Sequence, residues 1–187
     1  MSNDILIPNN IESSEKLVHY LFTKHFKRKI ISSEISDLNN REILMPNKGG
    51  VSLQRTRYCN ENKCKEFASM IPDRVYCGFL LFSKQDFENV KSNYIKYSRP
   101  DFEAILKHTP LNENFEYLPN NSKVFVNSPG NPAHSDLIYL NPAQINEEKP
   151  NTAIRSFTRK FLQFCTLLID KNLESNDYEG ILFENCN

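Results

Sequence analysis

Val75-Tyr76-Cys77-Gly78-Phe79-Leu80-Leu81-Phe82 is an unbroken apolar run followed at once by Ser83-Lys84-Gln85-Asp86. An apolar run of this length, far short of a bilayer span, reads as a strand covered on both faces. Ser83, with an acid three residues on, reads as the cap of a following helix over residues 84–93. A strand feeding a helix is therefore the centre from which the rest is assigned. Upstream, Asn60 caps a short helix over 61–70. Before it lies a strand over 51–57 that puts Val51, Leu53 and Arg55 on one face and Ser52, Gln54 and Thr56 on the other. Ile30, Ile31, Ile35 and residues 41–45 read as extended structure leading into a turn at Pro46-Asn47-Lys48-Gly49-Gly50.

At the N-terminal end, Ser13 or Ser14 precedes Leu17, Val18, Leu21, Phe22 and Phe26. Their 3,4 spacing predicts an amphipathic helix over 14–27, whose C-terminus the basic run from Lys24 to Lys29 would complement. Downstream, a polar, proline-punctuated region extends to Pro119 without a clear element. Strands are predicted at 124–126 and 136–140, joined by Asn127-Ser128-Pro129-Gly130-Asn131-Pro132, and a polar connector covers 141–150. Ile154, Phe157, Phe161, Leu162, Cys165, Leu168 and Ile169 predict a long helix over 152–171, capped by Asn151 or Thr152. Ile181-Leu182-Phe183 reads as an edge strand. The expected fold is α+β: a single domain over 1–187, with a mixed or mainly antiparallel sheet flanked by the N-terminal helix and the long C-terminal helix.

The 187 residues carry 23 basic and 23 acidic side chains, so no global field draws the chain to nucleic acid or an anionic membrane. A 39% hydrophobic fraction with 13 Phe and 8 Tyr supports an aromatic-rich core. There is no basic and apolar leader and no spanning run, which predicts a cytoplasmic protein. The cysteines, Cys59, Cys64, Cys77, Cys165 and Cys186, are odd in number and scattered, which favours reduced thiols.

The densest chemistry lies at Asn131-Pro132-Ala133-His134-Ser135-Asp136. Residues at i and i+2 of a strand share a face, so His134 and Asp136 are expected side by side, as an acid–base pair or as two metal ligands. The plainer reading makes His134 a loop-capping residue satisfied by Asp136. Arg55 and Arg57, in a strand otherwise built for burial, have the bidentate geometry that grips phosphate or carboxylate. The plainer reading there is solvated cations or an Arg55–Asp136 ion pair. If Ser52, Arg55, Arg57, Asn131 and His134 converge, they form a pocket for an anionic ligand. Cys59, Cys64 and Cys77 with His134 would compose a Cys3His zinc set, and Cys59 or Cys77 beside His134 a thiol nucleophile, although free cysteine is more often packing. The basic run at 24–29 could touch a nucleic-acid backbone, but such a run more often solvates an element's end.

Gly50-Val51-Ser52-Leu53-Gln54-Arg55, then Gly78-Phe79-Leu80, then Asn131-Pro132-Ala133-His134-Ser135-Asp136 resembles a family of uncharacterised small bacterial proteins. Those proteins place a glycine-serine-arginine strand early and an asparagine-proline-x-histidine-x-acid element late. The resemblance covers residues 41–139 and implies a bacterial origin and a single domain, without an activity. The expectation for function is a binding or accessory protein, taking an anionic small molecule, nucleotide or partner segment at Arg55, His134 and Asp136. By analogy with other small bacterial proteins it would serve in stress or anti-phage defence. Two further classes stay open: a metal-assisted hydrolase, nuclease or nucleotide-dependent transferase using His134, Asp136 and Arg55, and an oligomeric structural component. No cofactor and no specific partner is named by the residues.

Overall fold

In the computed structural model, which describes residues 4–46, 50–141 and 152–186, the apolar run at 75–82 becomes strand β4 (Tyr76–Ser83). Before it come β1 (Leu6–Ile7), β2 (Lys16–Phe22), β3 (Val51–Arg55) and helix α1 (Glu61–Ser69). After it come α2 (Lys84–Tyr97), β5 (Ala104–His108), β6 (Val124–Phe125), β7 (His134–Tyr139), α3 (Thr152–Phe161) and β8 (Thr166–Ile169). The fold is α+β, with a six-stranded sheet in the order β5-β7-β3-β2-β4-β8, antiparallel at every described pairing, and a two-stranded ribbon of β1 and β6.

Both faces of the sheet are covered, which is why its inner strands read as continuous apolar runs. On one face Leu17, Leu21, Leu53, Leu80, Phe82 and Leu137 pack with Phe87 and Tyr94 of α2 and Phe157 and Phe161 of α3. Edge-to-face aromatic contacts such as Phe82–Phe161, centroids 4.9 Å apart, hold this layer together. On the other face Val18, Tyr20, Phe79 and Leu81 pack with Cys64 and Phe67 of α1 and with Tyr178 and Phe183 of the C-terminal segment. Lys65 of α1 fixes that segment: its buried ammonium lies 2.7 Å from Asp170 and donates to the carbonyls of Asn172 and Asp177. A side chain at Gly78 is excluded, because its Cβ would stand 2.1 Å from the Leu168 carbonyl oxygen of the neighbouring strand.

The caps predicted from sequence form. Asn60 accepts from the Lys63 amide at 2.9 Å and Ser83 from the Asp86 amide at 3.0 Å. The N-terminal helix predicted over 14–27 does not form: residues 16–22 are β2, the strand between β3 and β4. Leu17, Val18, Leu21 and Phe22 satisfy helical spacing, but they satisfy equally a strand buried on both faces, and the aromatic and β-branched content favours the strand. The basic residues beyond it cap no helix; they lie in 3-10 turns at Thr23–His25 and Lys27–Lys29. The predicted long C-terminal helix ends at Phe161, and a 3-10 turn at Leu162–Phe164 leads into β8. There Leu167 and Leu168 face opposite cores, opposite Leu80 and Phe79 of β4, a division that one helical stripe would not allow.

Three smaller expectations also change. Residues 30–45 form no strand: a 3-10 turn at Ile35–Asp37 and turns at 40–44 interrupt irregular backbone that is extended at Ile30, Glu34 and Leu38, with Ile43 and Leu44 buried. The stretch at 181–183 is not an edge strand but leads into a 3-10 turn at Phe183–Asn185. The strand at 124–126 shortens to β6, which pairs with β1 and not with β7. Most of the turn at 46–50, the connector predicted over 141–150 and the cap at Asn151 lie outside the described residues.

Candidate functional site

The loop before β7 delivers His134 into the sheet in fixed register. Asn131 and Leu111 exchange backbone hydrogen bonds at 3.0 and 3.1 Å, and the Thr109 amide donates to the His134 carbonyl at 3.0 Å. From there Gln54 lies opposite His134 and Ser52 opposite Asp136 on β3, while Lys107 lies opposite Asp136 on β5. His134 and Asp136 share a face as their spacing requires, with Nε2 and Oδ1 4.0 Å apart and both side chains 4% exposed.

Thr109 links them. The His134 Nδ1–H points at the Thr109 carbonyl oxygen, 2.8 Å away, and at its hydroxyl oxygen, 3.1 Å away. The Thr109 hydroxyl in turn donates to Asp136 Oδ2 at 2.8 Å. The chain thus runs from imidazole to hydroxyl to carboxylate. Burial pulls the His134 pKa down more than the Asp136 charge and the Thr109 carbonyl raise it, so the ring is neutral near pH 7 and Nε2 is an acceptor. Asp136 Oδ1 is buried and has no hydrogen-bond partner among the described residues. Gly50 makes room for this carboxylate, since a Cβ there would stand 3.0 Å from Oδ1.

Above Asp136 lies an open cavity of about 550 Å³, walled in part by the segment between β5 and β6. Its lining includes Asn9, Asn120 and Asn121, the hydroxyl-bearing Thr109, Tyr117 and Ser122, and Pro110, Leu118 and Ile138. Among the described residues the only Lys or Arg in the lining is Lys107, whose ammonium is held by Asn120 Oδ1 at 2.9 Å. Partial burial, then the Asp136 charge and the approach of the Tyr117 hydroxyl to that carboxylate, push the Tyr117 phenol up to about 12.

Other residues predicted for the site lie elsewhere. Arg55 is fully buried and, being paired with Leu17 and next to Gln54 along β3, points to the face opposite His134. Its guanidinium is consumed by Glu15, Nε to Oε1 at 2.5 Å and Nη2 to Oε2 at 2.8 Å, and by the carbonyls of Pro8 and Asn10. The predicted Arg55–Asp136 pair and the convergence of Arg55 with His134 are therefore both corrected: alternation along the strand separates them. Arg57 is exposed and pairs with Glu12 at 3.2 Å. Ser52 is exposed beside Asp136 without lining the cavity. Asn131 is buried, its amide turned toward the Tyr20 hydroxyl together with Gln54.

The Cys3His idea also fails on geometry, because Cys77 packs in the core on one face while Cys59 and Cys64 pack on the other. No group of three or more His, Cys, Asp or Glu close enough to hold a metal ion occurs among the described residues. Thr109, Lys107 and Tyr117 were missed by sequence reasoning, since they lie in the stretch read as irregular. The signal was Ala104-Ile105-Leu106, an apolar run bracketed, not broken, by Pro100 and Pro110. No helix among the described residues is long and apolar enough to cross a membrane. No family model, curated protein or solved structure matches the chain.

Proposed function

We propose that the protein binds a small polar molecule in the cavity over β5 and β7, with Asp136 as the group that recognises it. The observation that carries this reading is the buried Asp136 carboxylate: among the described residues its Oδ1 is within hydrogen-bond geometry of no donor, the Tyr117 hydroxyl standing nearby, and no Lys or Arg lies within ion-pair distance. A buried carboxylate in that condition is costly unless a donor reaches it. His134 stands behind Asp136 and does not line the cavity, whose amide and hydroxyl lining suits a ligand rich in polar groups. The anionic ligand expected from Arg55 loses its clamp, since that guanidinium is spent on Glu15. The ligand class supported instead is one bearing O–H, N–H or ammonium donors: a sugar, a polyol or an amine. His134 and Thr109 act as positioning residues, fixing the carboxylate through the hydroxyl between them.

The test is an amide-resolved NMR titration with monosaccharides, polyols, amino acids and polyamines, with inorganic phosphate as the anionic comparison. Shifts focused on Thr109, Tyr117 and Asn120 with a donor-bearing ligand, and lost in Asp136→Asn, support the reading. Binding of phosphate at those residues, or donor-ligand binding unchanged in Asp136→Asn, overturns it.

A further inference from the structure

Away from the Asp136 cavity, a second concavity of about 330 Å³ is lined by Asn40, Arg41, Thr152, Arg155, Ser156 and Arg159. None of these residues lines the first cavity. The local sequence explains how it forms. Ala153, Ile154, Phe157 and Phe161 bury one side of α3, which turns Arg155, Ser156 and Arg159 to the other. Arg155 and Arg159, four apart, lie on one ridge, where like charges repel. Arg41 joins them from the turn at 41–44. In a chain of zero net charge, three guanidinium groups thus gather in one concavity, and none forms an ion pair among the described residues. Among the described residues the rest of the lining supplies hydroxyls and an amide, and the aligned peptide dipoles of α3 place positive potential at the Thr152 end.

We propose that this concavity binds the phosphate group of a phosphorylated small molecule. Guanidinium forks match phosphate oxygens two at a time, and three of them with Thr152 and Ser156 hydroxyls supply donors around a tetrahedral oxyanion. A phosphate also relieves the repulsion between Arg155 and Arg159. The volume suits a small ligand rather than a polymer track.

Inorganic pyrophosphate is the probe, with sodium chloride at matched ionic strength as its control. Thermal unfolding of the full chain should shift upward by about 4 °C once pyrophosphate exceeds its dissociation constant tenfold. Arg155→Gln/Arg159→Gln should abolish the shift, as should Arg41→Gln tested separately. Lys63→Gln/Lys171→Gln, which removes the same charge elsewhere, should keep it. The proposal is overturned if chloride reproduces the shift, if the arginine variants keep it, or if the lysine variant loses it. It is also overturned if a single-stranded oligonucleotide binds these arginines while pyrophosphate does not, which would make the patch a nucleic-acid contact.

Discussion

The Arg55 guanidinium holds the Glu15 carboxylate through two donors, at 2.5 and 2.8 Å, in a pair with side chains 0% and 2% exposed. Two further donors reach the carbonyls of Pro8 and Asn10, so one side chain closes the N-terminal segment over the end of the sheet. Removing either partner leaves the other charge buried and alone. Arg55→Ala or Glu15→Ala should each cost about 3–5 kcal/mol, read as a fall of roughly 10 °C in melting temperature. A melting temperature unchanged in both variants would show that the pair holds nothing.

Asp136→Asn should behave oppositely. The amide keeps the shape and still accepts from Thr109, while the uncompensated charge disappears, so stability should hold or rise by about 1 kcal/mol. A carboxylate retained for structure predicts a loss instead, and chemical denaturation of the two proteins separates these outcomes. Gly50→Ala should displace the same carboxylate, lowering ligand affinity along with stability.

What could be read from sequence was what depends on neighbours a few residues apart. The caps at Asn60 and Ser83, the strand at 75–82 and the shared face of His134 and Asp136 are all local relations. β2 was misread because its apolar spacing is the same for a helix stripe and for a strand buried twice over. β5 was hidden between prolines. Arg55 and Glu15 are 40 residues apart, and Thr109 is 25 from His134, so neither partnership leaves a trace in local spacing. The arginine cluster brings Arg41 to α3 by the same long-range folding.

Acid should weaken the fold well above the carboxylate range. Burial, as the largest cause in each case, lowers His19 to about 4, His25 to about 2 and His108 to about 4. The unfolded chain takes up these protons near pH 6.5, whereas the folded chain keeps the rings neutral until roughly pH 4. Below pH 6.5 the unfolded state therefore binds more protons, and stability falls by up to about 1.4 kcal/mol per pH unit for each such histidine. Melting temperatures should hold from pH 7.5 to about pH 6.5 and drop from there to pH 4.5, and His108→Gln should flatten the slope. A profile level from pH 7 to pH 5 would contradict the buried, neutral assignment.

The thiols should be inert in the native state. Cys64 and Cys59 lie buried with sulfurs 3.2 Å apart, burial drives the Cys64 thiol well up, and it carries Cys77 to about 12. With so little thiolate at neutral pH, iodoacetamide should label Cys64 and Cys77 only as fast as the chain opens. Peptide mapping of briefly treated native protein tests this, and rapid labelling of Cys64 would restore the nucleophile reading.

The central claim is that Asp136 recognises a donor-bearing ligand, and the most direct measurement is thermal unfolding of the wild type and Asp136→Asn with the same panel of sugars, polyols and amines. A ligand that binds only the folded state raises its melting temperature. The account predicts at least one such ligand that stabilises the wild type and leaves Asp136→Asn unmoved; a ligand that stabilises both equally, or a panel that moves neither, would contradict it.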